Sequence, residues 1–228
     1  ALSSAIMEKW HYFAIAVCAM LVTLTTQEMA MPTAEQLPGW AKAINALDNS
    51  WFYVAHYINP TNLSPSYPYP DAETLTSMAF WIKGILFLGT ILILGTAGWL
   101  RGVKWPLLLA LFYIVTLLPV SGLVHVGPAK ATDHYTYLAT LPLSFLTALV
   151  IVALFQNLNR FKMLIAAISL SYLLFLFLIT VQQVTYWNNP LTLWTRVVQL
   201  HPESALGHRN LAGAYNLIGE REIALQHA

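Results

Sequence analysis

Five runs of about twenty predominantly apolar residues divide this chain, at roughly positions 10–26, 78–100, 105–126, 137–155 and 163–181. A bilayer hydrocarbon core about 30 Å thick takes about 20 residues of helix to cross. Inside it every backbone polar group must be satisfied within the segment, which selects α-helices for runs of this kind. The expected fold is therefore an all-α membrane protein of about five spans. Composition agrees: 57% of residues are hydrophobic and 9% are charged, against roughly 25% charged in soluble domains. A net charge of +1 leaves no basic field for nucleic acid. The lone Cys18, within an apolar run, offers neither a disulfide framework nor a thiolate metal cluster.

Because Lys and Arg are retained on the cytoplasmic side, the short connections give an orientation. Five spans gather Lys9, Arg101, Lys104, Arg160 and Lys162 on one face. Lys42 and Lys130 fall on the other, among Glu28, Glu35, Asp48, Asp71, Glu73 and Asp133. The first face is expected to be cytoplasmic, as in a bacterial inner membrane, with the N-terminus inside and the tail in the periplasm. Trp10, Trp81, Trp99, Trp105, Tyr137 and Trp187 flank the runs as headgroup-level anchors would. The chain opens at Ala1 and stops at Ala228 within a repeat pattern, as expected of a piece of a longer protein.

In the long loop after the first run, Trp40, Ile44, Leu47, Trp51, Val54 and Ile58 recur at spacings of three and four, with Lys42, Asn45, Asn49 and His56 opposite. This pattern predicts an amphipathic helix over 40–58, lying in the interface with its Trp face on acyl chains and its polar face in water. Pro60 ends it, and Pro65, Pro68 and Pro70 make the following segment stiff and extended. Residues 1–187 thus form a membrane module. Residues 188–228 differ: a helix over 191–200 closes at His201-Pro202, and Leu211, Ala212, Tyr215, Gly219 and Ala224 fall in the register of a tetratricopeptide unit. Ala212 and Ala224 allow close helix approach, Leu211 and Tyr215 fill the seam, and Gly219 turns the corner. Further repeats are expected, and with them a protein partner, for which Leu211 and Tyr215 are the candidate contacts.

Asp133 and His134 stand just outside a span, where a carboxylate and an imidazole can orient an acceptor hydroxyl, hold a phosphate counter-ion or ligate a metal. A hydrated loop is the plain alternative. Lys130 is the nearest fixed cation, suited to neutralising a lipid phosphate or simply solvated. Lys83, a turn inside its span, is expected to reach back to the headgroups. Tyr67-Pro68-Tyr69-Pro70 puts two phenol rings on a stiff strand, as a platform for sugars or isoprenoids or as loop packing. His11, His56 and His125 lack ligand spacing on one helix, and Asn62-Leu63-Ser64 is a weak glycosylation match.

The segment Thr132-Asp133-His134-Tyr135-Thr136-Tyr137-Leu138-Ala139, with Leu63-Ser-Pro-Ser-Tyr-Pro-Tyr-Pro70 and the tail register, resembles the C-terminal membrane half of the GT-C-class lipid-linked-sugar O-mannosyltransferases that end in tetratricopeptide repeats. That family has Ala-Asp-Arg-Tyr-x-Tyr-Leu-Pro here. Asp133, Tyr135, Tyr137 and Leu138 match, while His134 replaces the Arg, a better two-pronged phosphate ligand. The resemblance implies a polyprenyl-phosphate sugar as donor, transfer at the outer face, and a substrate-binding set of Asp133, His134, Tyr135, Tyr137, Lys130, Tyr67 and Tyr69. It leaves the need for a divalent metal open, and it implies that the acidic residues activating the acceptor lie upstream of Ala1. The alternative is a non-catalytic scaffold subunit of a larger membrane complex, built on the same fold.

Overall fold

A computed structural model of the chain describes residues 7–30, 39–70, 72–123 and 129–228. Its helices are α1 (Trp10–Ala30), α2 (Gly39–Ile58), the short α3 (Ala72–Thr76), α4 (Met78–Leu100), α5 (Trp105–Leu117), α6 (Thr136–Asn157) and α7 (Lys162–Tyr186). The tail adds α8 (Pro190–Leu200), α9 (Ala205–Leu217) and α10 (Arg221–Gln226). Among the described residues one isolated antiparallel bridge, Tyr67 with Ala131, is the only strand-like pairing.

Helix ends follow local chemistry. Ser77 caps α4, its hydroxyl accepting from Phe80 N–H at 3.3 Å. Asn189 and Ser204 do the same for α8 and α9, at 2.9 and 3.1 Å. The third apolar run stops earlier than its hydropathy predicts. Rather than continuing to 126, α5 ends at Leu117 and a 3-10 turn, Leu118–Val120, follows. Pro119 lacks the N–H the next helical turn needs, and Gly122 sits at φ 90°, in the left-handed region. Residues 124–126 of that run, with His125, lie outside the described residues.

Among the described residues, three helices are long and apolar enough to cross a membrane: Phe80–Leu100, Asp133–Asn157 and Asn159–Tyr186. Trp105–Val120 is apolar but shorter. The last of them, α7, meets the other helices sparingly. In α6 only Ala139 and Pro142 are buried, and in α7 no residue is. Trp10, Trp81, Trp99, Trp105, Tyr137 and Trp187 are all exposed, as headgroup anchors would be.

Packing concentrates where α4, α5 and α6 meet α2 and the loops, at the end opposite Arg101 and Lys104. There Tyr53, Tyr67, Phe87, Tyr113, Leu117, Ala131 and Ala139 form one buried cluster, and Ala41, Ile44, Leu75 and Phe80 a second. Gly84 makes this possible, since a Cβ on it would lie 3.0 Å from Leu47 Cβ. The amphipathic reading of α2 needs correction here. Trp40, Trp51 and Ile58 are exposed as expected, but Asn45 and Asn49, assigned to water, are buried, and so is Asp48. Helical periodicity separates two faces without saying what covers each, and the polar face of α2 meets the backbone of Ser121, Gly122 and Lys130.

In the tail, Val197, Leu211, Ala212, Ala214 and Ala224 are buried between α8, α9 and α10. Gly219, at φ 86°, makes the turn into α10. Tyr215 is half-buried and lies parallel to the His227 ring, 5.9 Å between centroids. Leu217 and Leu225 remain exposed.

Candidate functional site

Ser121 and Lys130 are both fastened to α2 by one side chain. Asn49 Nδ2 donates to Ser121 O at 2.8 Å and to Lys130 O at 3.0 Å. Lys130 then turns its ammonium inward to an ion pair with Asp48, in which the side chains are 11% and 7% exposed. The rings of Phe52 and Phe80 lie 5.5 and 5.3 Å from the nitrogen, adding quadrupole attraction to the pair. Gly122 passes directly over Asn45, where a Cβ would come within 2.5 Å of Nδ2.

Tyr67 joins the Pro-rich segment to this loop. Its N–H donates to Ala131 O at 3.0 Å, and Lys130 N–H donates to Tyr67 O at 2.8 Å. Its phenol accepts from Ser64 N–H at 2.9 Å and donates to Asp133 Oδ1 at 3.0 Å. Tyr53, from α2, exchanges hydrogen bonds with the Thr132 backbone at 3.3 Å. Burial drives both phenols far above their ordinary range, so each remains a protonated donor. Phe52, His56 and His201 meet the Tyr67 ring edge to face, at 4.7, 5.5 and 5.3 Å. His56 donates Nδ1–H to Phe52 O at 2.9 Å. Burial lowers the His56 pKa, helped by the Lys130 charge, and burial lowers that of His201. His201 closes α8, so Tyr67 is also where the tail touches the Pro-rich segment.

The expected substrate set is thereby split. Asp133 points in to Tyr67, whereas His134 is exposed and lies against Tyr135, 4.3 Å between centroids. The two do not converge on one point. Lys130 is not a solvated cation awaiting a phosphate, because a buried carboxylate neutralises it. Tyr67 is 6% exposed and its phenol is engaged, so it offers no open stacking face. Tyr69 is half-buried, its phenol pushed up to about 12 by burial and by Tyr135. Tyr135 is half-buried and Tyr137 exposed. Lys83 is exposed, as a headgroup-seeking Lys should be, and His11 is exposed between Trp10 and Tyr12. Ser64 of the Asn-Leu-Ser match is buried and donates to Ser66 O at 2.9 Å. Among the described residues no three His, Cys, Asp or Glu come together as a metal site would require.

Sequence reasoning missed Asp48, Asn49, Tyr53 and His201 as members of this site. Asn45, Asp48 and Asn49 stand three and four apart on one helix face of an otherwise apolar protein, a spacing that marks a shared polar contact. Polar capacity is left over. Asp133 Oδ2, Thr132 Oγ1, His201 Nε2 and Arg196 Nε are buried without a hydrogen-bond partner among the described residues. The Arg196 guanidinium lies 4.9 Å from the Tyr186 ring.

No family model, curated protein or solved structure matches this chain at a significant level.

Proposed function

We propose that this chain is the C-terminal membrane module of a multi-pass glycosyltransferase that moves a sugar from a polyprenyl-phosphate donor to an acceptor at the outer face. In this reading the five apolar runs all span, the basic connections are cytoplasmic, and the tail begins a tetratricopeptide array that presents the acceptor. The observation that carries it is the buried, unpartnered Asp133 Oδ2, held by Tyr67 where the tail meets the loop. A buried carboxyl oxygen in that position is suited to hydrogen-bond a hydroxyl of the bound sugar or acceptor. Lys130, Tyr67 and Tyr53 hold the loop that carries it and take no direct part. His134 and Tyr137, both exposed, remain free to meet the donor headgroup.

A second reading has its own support. Lys130 and Asp48 neutralise each other and Tyr67 holds Asp133 Oδ1, as they would in a non-catalytic scaffold whose loop only ties the tail to the membrane helices. Transfer from a polyprenyl-phosphate sugar by the native full-length protein separates the two. The Asp133→Asn enzyme should lose about 10²-fold or more in rate, the scale of losing a positioned acid–base or charge-stabilising group. His134→Arg should keep or raise transfer, because a guanidinium stays charged and grips phosphate with two bonds. Full transfer by folded Asp133→Asn protein, with loss of partner subunits instead, would establish the scaffold.

A further inference from the structure

From the α2 side, where Trp51 and Val54 line it, an open groove of about 460 Å³ runs along α4, α5 and α6 between Phe87, Ile91, Leu94 and Tyr113. Arg101 lines the same groove. From position 87 to position 101 along α4 is about 21 Å at 1.5 Å per residue, well over half of the hydrocarbon thickness of about 30 Å. The groove is therefore a long apolar slot with Arg101 at its end.

The backbone fixes that end. Arg101 N–H and Val103 N–H both donate to Gly98 O, at 3.1 and 2.9 Å, and Gly102 makes the turn at φ 73°. Gly98 has no room for a side chain, since a Cβ there would lie 2.8 Å from Val103 O. Pro106 also packs against Gly98, at 3.3 Å from the same Cβ position. The neighbouring cation, Lys104, sits over the Trp99 ring at 5.6 Å. Arg101 is exposed and has no carboxylate within ion-pair distance among the described residues.

We propose that this groove is a binding site for one anionic phospholipid, with an acyl chain in the slot and the phosphate on Arg101. Any bilayer chain fills an apolar slot, so the end group decides which lipid stays. A guanidinium without an anionic partner grips two phosphate oxygens at once. A zwitterionic headgroup brings its own cation to compete for that phosphate, and an anionic one does not. The site is separate from the proposed transfer chemistry, because its charged end lies at the opposite end of α4 from the Asp133 loop.

Native mass spectrometry of the intact chain in detergent, titrated with dioleoyl phosphatidylglycerol or dioleoyl phosphatidylcholine, tests this directly. The wild-type protein should retain phosphatidylglycerol about fivefold more tightly, the scale of one basic residue at an anionic surface. Arg101→Ala should erase that preference while Arg160→Ala, outside the groove, keeps it. Leu94→Trp, which fills the slot, should weaken retention of both lipids. Equal retention of the two lipids by wild type, a preference that survives Arg101→Ala, or one lost equally in Arg160→Ala would overturn the site. Unchanged retention in folded Leu94→Trp would overturn the acyl seat. Displacement of phosphatidylglycerol by an equimolar polyprenyl phosphate would overturn the phospholipid assignment in favour of an isoprenoid.

Discussion

The loop end of this protein and the exposed sides of its long apolar helices are built on opposite principles. At the loop end, Asp48, Asn49, Tyr53, Tyr67 and Lys130 are buried or nearly so, and each is tied to a partner far away in the chain. Along α7 nothing is buried, and Leu173, Phe177 and Leu178 are exposed. The difference reflects the solvents. Lipid tails are as apolar as Leu, so spans gain little by burying apolar surface against one another and depend on close packing and polar contacts for specificity. Buried polar groups, by contrast, are costly when unpaired, and each therefore fixes one arrangement.

If that contrast is right, the largest single effect comes from removing half of the buried ion pair. Lys130→Ala should cost about 3–5 kcal/mol of unfolding free energy in detergent, because Asp48 is left charged and buried. Lys130→Met with Asp48→Leu should recover most of that, and a double variant as unstable as the single one would count against burial of the charge as the cause. Tyr67→Phe strips the partner from Asp133 Oδ1 and from Ser64 N–H and should cost about 1–3 kcal/mol, read in the same unfolding assay.

Acid should weaken the attachment of the tail. His56 and His201 titrate below the ordinary 6.5 while packed on Tyr67, so below about pH 6.5 the undocked or unfolded state binds more protons than the docked one. Their contribution is fully present above pH 6.5 and falls as pH drops through the lowered folded values. Limited proteolysis near position 201 should accelerate between pH 7.5 and 5.5, and His201→Phe should flatten that dependence. A rate unaffected by pH in the wild-type protein would detach the histidines from docking. The smallest effect belongs to the span surface: Leu173→Ala should change stability by less than about 0.5 kcal/mol, as surface changes away from specific contacts do. A loss comparable to that of Tyr67→Phe would mean that α7 is covered by protein.

Much of the helical layout was legible because its causes are local. The run at 78–100 coincides with α4, and Ser77, Asn189 and Ser204 cap helices as their side chains dictate. Pro119 and Gly122 show where hydropathy alone overreaches: the residues stay apolar to 120 and beyond, but the backbone cannot continue as helix. The same locality made α2 readable as amphipathic and hid what its polar face is for.

The sequence by itself determined the class of this protein, an all-helical chain with apolar helices long enough to cross a membrane, since a period of 3.6 and a length of about 20 residues are properties of neighbouring residues. Only the tertiary structure decided that Lys130 pairs with Asp48, 82 positions away, and that Tyr67 holds Asp133, 66 positions away. Partner choice across such distances follows from which backbones approach, and Gly84 and Gly122 set that approach by the side chains they lack. Asp133 and Lys130 therefore look alike in sequence, as charges in one loop. The fold gives Lys130 a neutralising partner and leaves one oxygen of Asp133 unspoken for.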